Sequence, residues 1–326
     1  MQKNILILWL WAFGFAVAKH LGENNPDITL QASEINPEIY NSILETRKHP
    51  YFFEWVMLPE NIELVADADL RPLLWGIDII ISIIPCQFVG GAFSEMKDFL
   101  KPWVCILNLS KWIDNTSMQT VSEKLADVLS VGDAGLPPLQ YTYAYLAGGM
   151  IAEELVYRNK LWADIVCEDF DIWSQFQTLF LSDTLDINLK ITDPKNTELY
   201  AALKNIIALM LWYYEWKWKW MSSRGYYFSK LLTEMKWIII LLWWDSEIDF
   251  TDYALSWDLI ATCFGASRNR LLGNMLWEWK ELSEALWELI AQNKIAEWYE
   301  TLKWVYQITE WKRRFEEINN FGKKYL

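Results

Sequence analysis

The sequence predicts an α/β N-terminal half built on a doubly wound parallel sheet, followed by an all-α C-terminal half. Two observations lead to this prediction. Short β-branched runs alternate with stretches of helical periodicity in the first part of the chain, which is typical of a parallel sheet covered by helices. From Thr197 onward the apolar residues recur with helical spacing almost throughout. We therefore expect a boundary near Asp186–Pro194, with domains over residues 1–188 and 189–326.

The strands of the sheet are predicted from runs of Val, Ile and Leu. A strand that is buried on both faces of a parallel sheet is nearly all apolar instead of alternating. Five such runs follow one another along the chain: Asn4–Leu8, Ile28–Ala32, Ile62–Val65, Ile77–Ile84 and Val104–Leu109. The fourth run is the longest and ends before Pro85, so we predict that it is a central strand.

Helices are predicted wherever apolar residues recur at i, i+3, i+4 and i+7. In the N-terminal half these segments are Phe13–Leu21, Pro37–Thr46, Ala92–Leu100 and Met118–Leu129. In the C-terminal half they are Glu198–Trp212, Ser222–Ile239, Asp252–Cys263, Ser283–Lys294 and Tyr299–Ile308.

The first apolar stretch, Ile5–Ala18, has two interpretations. Lys3 and Lys19 flank it, as basic residues flank the apolar region of a signal peptide. The stretch is shorter than the ~20 residues that span a bilayer, so we expect no integral membrane segment. Because a strand-and-helix pattern continues directly after it, we favour a buried first strand that runs into a turn and a helix.

Composition and charge narrow the class of protein. The chain has 326 residues, of which 53% are hydrophobic and 22% charged, so it can bury a sizeable core. Its formal net charge of −14 disfavours nucleic acid as a partner. No metal-ligand spacing is present, and scattered single cysteines suit a reducing cytoplasm. The four cysteines are Cys86, Cys105, Cys167 and Cys263, and the two histidines are His20 and His49.

The first strand is followed by an incomplete dinucleotide-binding fingerprint. The Rossmann fingerprint is Gly-x-Gly-x-x-Gly, whose glycines let the backbone approach a pyrophosphate at a helix N-terminus. Here Gly14 occupies the third position, but Trp9 and Trp11 occupy the first two. Indole rings there fill the space that the pyrophosphate needs, so the fingerprint fails when it is read alone. Glu34 follows Gly14 at a spacing that suits either a contact to a ribose hydroxyl or a solvated loop glutamate.

Several later segments complete a pattern. They are Thr46–Pro59, Pro85–Gln87, Ser110–Trp112, Ala147–Ala152, Ala202–Asn205, Trp257–Cys263, Ser267–Arg270 and Ala296–Trp298. In this order and spacing, and together with a Rossmann-like first half, the chain resembles the NAD(P)-dependent glycerol-3-phosphate dehydrogenase family from Asn4 to about Tyr306. The family's runs include S-K-G, A-L-K-N, G-D-L-x-x-T-C, S-R-N and E-G.

The resemblance implies an oxidoreductase that interconverts sn-glycerol 3-phosphate and dihydroxyacetone phosphate, which feeds glycerophospholipid synthesis, and it allows a homodimer. It places Lys204 as the proton acceptor. The implied substrate-binding residues are Lys111, Gly148, Asp258, Ser267, Arg268 and Asn269. The implied cofactor-binding residues are Trp9, Trp11, Ala12, Phe13, Gly14, Glu34, Lys111, Ala152, Arg268 and Glu297. The cofactor is NAD or NADP, with a lean to NAD because a carboxylate at Glu34 repels a 2′-phosphate.

The residues themselves support part of this assignment. Lys204 lies on a predicted helix between apolar Leu203 and Ile206, which indicates a desolvated amine suited to proton transfer. The alternative is a surface lysine whose stem lies along the helix. An arginine with hydroxyl and amide donors beside it, as in Ser267-Arg268-Asn269, suits a phosphorylated substrate.

Two departures keep other functions open. The family's S-G-P-S-F-A run appears here as Ala147–Ala152, in which Met150 replaces a serine and Gly149 a proline. A related dehydrogenase that acts on another hydroxy acid therefore remains an alternative. A non-catalytic descendant, with the tryptophan-rich segment Trp212–Trp220 as a binding surface, is a second alternative.

The most unusual feature of the composition is the ratio of tryptophan to glycine. The chain has 22 tryptophans and 13 glycines, although glycine normally makes up about 7% of residues. Tryptophan stands at eleven family glycine positions: Trp9, Trp11, Trp55, Trp112, Trp212, Trp216, Trp218, Trp220, Trp257, Trp279 and Trp298. Our hypothesis is a decoding difference, because some genetic codes read the codon UGA as glycine and others read it as tryptophan. Deliberate mutagenesis and a degenerate paralogue are the alternatives.

Overall fold

A computed structural model gives the fold of the chain. It describes residues 3–111, 113–114, 117–130, 138–215, 221–243, 253–264, 268–278, 280–291 and 298–326. The chain divides into two compact units, residues 1–114 with 119–195 and residues 115–118 with 196–326. The first unit is α/β and the second is helical, which confirms the predicted fold class.

The first unit contains one eight-stranded sheet in the order β3-β2-β1-β4-β5-β6-β7-β8. Its strands are β1 (Ile5–Leu8), β2 (Leu30–Ser33), β3 (Ile62–Val65), β4 (Ile79–Ser82), β5 (Val104–Asn108), β6 (Tyr141–Gly148), β7 (Leu161–Val166) and β8 (Leu185–Lys190). The first five match the predicted runs. Because the strand order reverses at β1, the carboxyl ends of β1 and β4 form a switch-point crevice of the kind that binds ligands in such sheets.

The sheet is not wholly parallel, which the sequence analysis did not anticipate. β6 and β7 pair antiparallel, with Leu146 opposite Ile165, and every other neighbouring pair is parallel. The connection between β6 and β7 contains only the five-residue helix Ala152–Val156. A parallel crossover generally needs a longer connection with a full helix, so the chain turns back instead.

Alternating residues of each strand face two separate cores. Ile5 and Ile7 of β1 pack into one core with Phe15 and Leu21. Leu6 and Leu8 pack on the opposite side of the sheet with residues such as Phe93. Because successive side chains of a strand point to opposite faces, a four-residue apolar run fills both cores at once.

Seven helices of the described chain cover the sheet. They are α1 (Ala12–Asn24), α2 (Pro37–Thr46), α3 (Asp67–Leu74), α4 (Cys86–Met96), α5 (Val121–Ser130), α6 (Ala152–Val156) and α7 (Phe170–Phe180). Local sequence sets several of their ends. Asn36 caps α2 by accepting the backbone N–H groups of Glu38 and Ile39, and Pro37 occupies the first helical position.

The second unit contains α8 (Lys195–Glu215), α9 (Met221–Trp243), α10 (Asp258–Phe264), α11 (Arg268–Trp277), α12 (Leu282–Ala291), α13 (Trp298–Thr309) and α14 (Glu316–Tyr325). A π-helical turn, Tyr253–Trp257, precedes α10, so the predicted single helix Asp252–Cys263 changes its geometry at Asp258. The helices α11 and α14 were not predicted. Among the described helices, none has the length and apolar character that crossing a bilayer requires.

Gly14 fixes the approach of α1 to the β1–α1 turn. A Cβ atom on Gly14 would lie far inside van der Waals contact with the carbonyl oxygen of Trp9. We therefore expect Gly14→Ala to lower the free energy of unfolding by about 1–3 kcal/mol, the usual cost of overpacking. Gly91→Ala on α4 is the matched control, because nothing lies within 4 Å of its added Cβ. Urea unfolding of both variants measures the difference, and equal effects would contradict this role of Gly14.

Candidate active site

The β1–α1 turn has the backbone of a dinucleotide-binding loop. Trp9 adopts φ 79°, in the left-handed region that favours glycine. Its N–H donates to the carbonyl of Ser33 at 2.9 Å, which ties the turn to the end of β2. The N-cap residue of α1 is Trp11, which makes no side-chain cap, and no acidic residue lies in the first turn. The N-terminus of α1, with Ala12, is therefore suited to an anion.

Glu34 holds this turn from the end of β2. Its side chain is only 3% exposed, so the interpretation as a solvated loop glutamate is wrong. The carboxylate accepts the backbone N–H groups of Leu10 at 2.7 Å and Asn36 at 2.9 Å. Burial raises the pKa of Glu34, and the backbone hydrogen bonds oppose this rise. The structure thus gives Glu34 a positioning role in the turn, whereas its contact to a ribose hydroxyl stays a prediction.

The turn carries two bulky side chains, Trp9 and Trp11, although its backbone is of the kind that approaches a pyrophosphate. The ring of Trp9 is stacked on Phe88 of α4, with centroids 6.2 Å apart. The ring of Trp11 turns toward the loop after α2 and meets Phe52 at 5.4 Å and His49 at 5.9 Å. The turn thus carries two aromatic side chains at positions where the fingerprint has glycines, which have no side chain.

Three predicted residues, Lys111, Gly148 and Phe13, come together at the carboxyl end of the sheet. Lys111 follows β5, and its Nζ donates to the carbonyl oxygen of Gly148 at 2.9 Å. The same ammonium lies 5.8 Å from the ring centroid of Phe13. Gly148 is required by close packing, because an added Cβ would lie 2.5 Å from the carbonyl oxygen of Trp162. Ala152 begins α6 four residues after Gly148. Like Phe13, it packs against the core that contains Phe15.

The helical unit places a lysine and a carboxylate together in its interior. Lys204 on α8 is 4% exposed, so the interpretation as a surface lysine is wrong. Its Nζ donates to Oδ2 of Asp258, at the first residue of α10. Both side chains are about 5% exposed, so the two charges are removed from water as a pair.

Two neighbours of this pair, Thr262 and Cys263, lie one turn further along α10. Thr262 donates its hydroxyl to the carbonyl of Asp258 at 2.6 Å, one turn along α10. Burial raises the pKa of Cys263 to about 12, so this thiol stays protonated and unreactive.

Comparison with known proteins decides the family. The model of the NAD-dependent glycerol-3-phosphate dehydrogenase N-terminus matches residues 5–169, and the model of the C-terminus of the same enzymes matches residues 193–320. The chain belongs to the NAD-dependent glycerol-3-phosphate dehydrogenase family.

Two relatives in this family match most of the chain. The NAD(P)+ glycerol-3-phosphate dehydrogenase of Nitratidesulfovibrio vulgaris Hildenborough is 26% identical over 94% of this chain and 88% of its own length. The NAD(P)+ glycerol-3-phosphate dehydrogenase of Leptospira biflexa is 28% identical over 91% of this chain and 85% of its own length.

Solved structures show the same similarity in fold. A glycerol-3-phosphate dehydrogenase from Plasmodium falciparum has a TM-score of 0.86 at 19% identity, covering 99% of this chain and 92% of that one. The Coxiella burnetii structure has a TM-score of 0.83 at 17% identity, covering 100% and 96%. These two structures support the fold.

Four residues that the family resemblance assigns to the site lie wholly or partly outside the described part of the structure. Ser267 and Glu297 lie outside the described residues. Arg268 and Asn269 form the first turn of α11, with side chains outside the described part. Within the described residues, no group of three or more His, Cys, Asp and Glu could hold a metal ion.

Sequence reasoning missed two features of this glycerol-3-phosphate dehydrogenase site. Phe88 is half-exposed in the first turn of α4, and its position directly after the Pro85–Gln87 run could have drawn attention to it. His49 is buried among aromatic rings, accepts the N–H of Tyr51 at Nδ1, and has no Nε2 partner among the described residues. Its neighbour in this cluster, Trp11, is distant in sequence, so no local pattern predicts the contact.

The Lys204–Asp258 pair should contribute strongly to stability. Asp258→Asn leaves the buried ammonium beside a neutral amide, so we expect the free energy of unfolding to fall by about 3–5 kcal/mol. Asp183→Asn is the matched control, because Asp183 pairs with Arg158 at the surface and is 74% exposed. That change should cost about 0–1 kcal/mol. Urea unfolding measures both, and a loss at Asp258 no larger than at Asp183 would show that the pair is not buried.

His49 should make the chain less stable in mild acid. Burial lowers its pKa from 6.5 to about 4, so the folded protein holds the neutral ring. The resulting stability is present above pH 6.5 and is lost as the pH falls toward about 4. In His49→Phe this loss should shrink relative to the parent chain, as measured by urea unfolding at several pH values. The proton NMR titration of the two imidazoles is the direct check, and a His49 pKa of 6.5 or above contradicts the prediction.

Proposed function

We propose that the protein reversibly interconverts sn-glycerol 3-phosphate and dihydroxyacetone phosphate with NAD(P)(H). The buried Lys204–Asp258 pair is the observation that carries this proposal. It combines the lysine of the A-L-K-N run with the aspartate of the run matching G-D-L-x-x-T-C, as the family resemblance requires. Interconversion of a secondary alcohol and a ketone needs one group that gives and takes the hydroxyl proton, and this pair supplies it.

The pair explains how the proton is held. The carboxylate of Asp258 stabilises the positive charge on Lys204, so the resting pair keeps the proton on Nζ. In the direction of ketone reduction, Lys204 gives this proton to the oxygen that becomes the hydroxyl, and reduced nicotinamide, when bound, would supply the hydride. In the direction of alcohol oxidation, the neutral amine of Lys204 takes the hydroxyl proton, and oxidised nicotinamide, when bound, would accept the hydride. Asp258 acts as a positioning residue, since it aims the ammonium and offsets its charge.

Substrate recognition is assigned to two further groups. Lys111, fixed by the carbonyl of Gly148, offers a cation at the carboxyl end of the sheet. Ser267, Arg268 and Asn269 are assigned to the phosphate of the substrate, because a guanidinium with flanking donors matches a phosphate dianion. We infer a small phosphorylated substrate from this composition. Met150 in place of the family's serine means that contacts in its segment come from backbone groups.

Two further observations bear on the preferred cofactor and on the compartment. NAD is favoured over NADP because the buried carboxylate of Glu34 stands at the end of β2, where a 2′-phosphate would be repelled. A reducing cytoplasm agrees with four free, buried cysteines. Supply of the precursor for glycerophospholipids and a homodimer rest on the resemblance alone.

One observation favours a second function. Trp9 and Trp11 stand where the fingerprint has glycines, so their rings would have to move before a pyrophosphate could approach the turn, as expected of a descendant that has lost catalysis. The test of the proposed function therefore uses a background in which Trp9 and Trp11 are replaced by glycine.

Lys204 is the residue to change. In that background, Lys204→Arg keeps a cation beside Asp258 but cannot give up its proton, so we expect kcat to fall by about 10²–10⁴-fold. Lys204→Met should lower kcat at least as much. Turnover is followed by the absorbance of reduced nicotinamide, with glycerol 3-phosphate as substrate.

Lys236→Met on α9 is the control for this experiment, since it removes a partly exposed lysine of the same helical unit. It should leave kcat within about twofold of the parent, because it lies outside the proposed machinery. Unchanged turnover in Lys204→Arg would refute the assignment of Lys204. Turnover with another hydroxy acid but none with glycerol 3-phosphate would refute the assigned substrate.

A further inference from the structure

The turn between α13 and α14 carries three consecutive cations in an acidic chain. Lys312, Arg313 and Arg314 are all exposed, although the chain has 43 acidic and 29 basic side chains. Within the described part of the chain, none of the three forms an ion pair with a carboxylate. Lys230 and Lys280 of the same helical unit, by contrast, are both ion-paired. Residues 311–314, which we call the basic turn, therefore form a local positive patch on a negative protein.

The acidic residues that flank the basic turn are engaged elsewhere. Glu310 accepts the hydroxyl of Tyr306 at 3.2 Å. Glu316 and Glu317 both bind the ammonium of Lys230 on α9, at 2.9 and 2.6 Å. The carboxylates that are nearest in sequence thus point to other partners, and the three cations of the basic turn face solvent.

Contacts with the helices hold the shape of the basic turn. The side-chain amide of the buried Asn319 donates to the carbonyls of Thr309 and Lys312, at 2.9 and 3.3 Å. The guanidinium of Arg314 lies 3.7 Å from the ring centroid of Trp237 on α9. The protein itself therefore fixes the backbone of the turn, so that binding a partner need not order it.

Apolar side chains lie beside these cations. Trp311 is 89% exposed, and it is not one of the eleven tryptophans at family glycine positions. On α9, Leu241 stands one turn after Trp237 on the same helix face and is also exposed. An exposed apolar residue is ordinary when it stands alone. An indole combined with a run of cations is typical of surfaces that lie against lipid headgroups.

We propose that the basic turn and the adjoining end of α9 bind the surface of an anionic membrane as a peripheral contact. The cations meet the lipid phosphates, and the indole of Trp311 enters the interface below them. A membrane is favoured over a polyanion such as nucleic acid, because only the membrane takes up the apolar side chains as well as the cations. The contact is independent of the proposed reaction, since it uses none of the residues assigned to that reaction.

Sedimentation with lipid vesicles tests the proposal. The protein should sediment with vesicles of phosphatidylglycerol and phosphatidylcholine in equal parts but not with phosphatidylcholine alone, and added salt should release it. The variant Arg313→Gln, Arg314→Gln should bind the anionic vesicles about 20- to 30-fold more weakly, because each cation near such a surface contributes about fivefold. The matched control is Arg71→Gln, Arg158→Gln, which removes the same charge from two ion-paired, exposed arginines of the first unit and should bind like the parent chain.

Trp311→Ser separates the contribution of the ring from that of the charges. It should weaken binding to anionic vesicles at least about threefold. Its control is Trp287→Ser on α12, which removes a 71% exposed ring flanked by Glu284 and Glu288 and should leave binding unchanged. Circular dichroism checks that each variant is folded.

Three results would overturn the membrane contact: no sedimentation of the parent chain with anionic vesicles, equal binding to both kinds of vesicle, or equal binding by the arginine variant and its control. Retention on heparin without vesicle binding would overturn it as well and would assign the basic turn to a polyanion. Because vesicle binding is measured without substrate, its outcome is separate from the success or failure of the proposed function.

Discussion

The first unit depends on the close approach of α1 to the turn that follows β1. Gly14 leaves no room for a Cβ against the carbonyl of Trp9, so the helix starts directly at the carboxyl edge of the sheet. Glu34 then fixes the other end of the same turn through the N–H of Leu10. Because α1 lies over the sheet centre, this single approach places a helix N-terminus at the switch point between β1 and β4. The position of this helix start therefore depends on the absence of a Cβ at Gly14 and on the carboxylate of Glu34.

The helical unit depends on a different interaction, which keeps the charged ammonium of Lys204 buried. A buried lysine is costly unless a carboxylate accompanies it, and Asp258 supplies that carboxylate from the start of α10. The change from a π-helical turn to α10 at Asp258 sets where this residue stands. The contact with Asp258 is therefore what permits burial of the Lys204 ammonium.

The tryptophans show what happens when side chains and backbone disagree. The fold keeps the glycine-type conformation at Trp9 and accommodates the indole by stacking it on Phe88. The backbone prevails because the sheet, α1 and Glu34 determine it from several directions, whereas a ring at the surface has room to turn. A polypeptide can thus retain a family fold with bulky side chains at glycine positions of its fingerprint.

The sequence by itself determined the fold class, the first five strands and the family, because buried parallel strands and ordered motifs are local signals. It also named Lys204, Asp258, Lys111 and Gly148. Tertiary structure alone decided that Lys204 meets Asp258 across 54 residues and that Glu34 is buried. It alone decided the antiparallel pairing of β6 with β7. Such contacts join segments that are distant along the chain, so no local periodicity encodes them, and only the packed chain brings their side chains together.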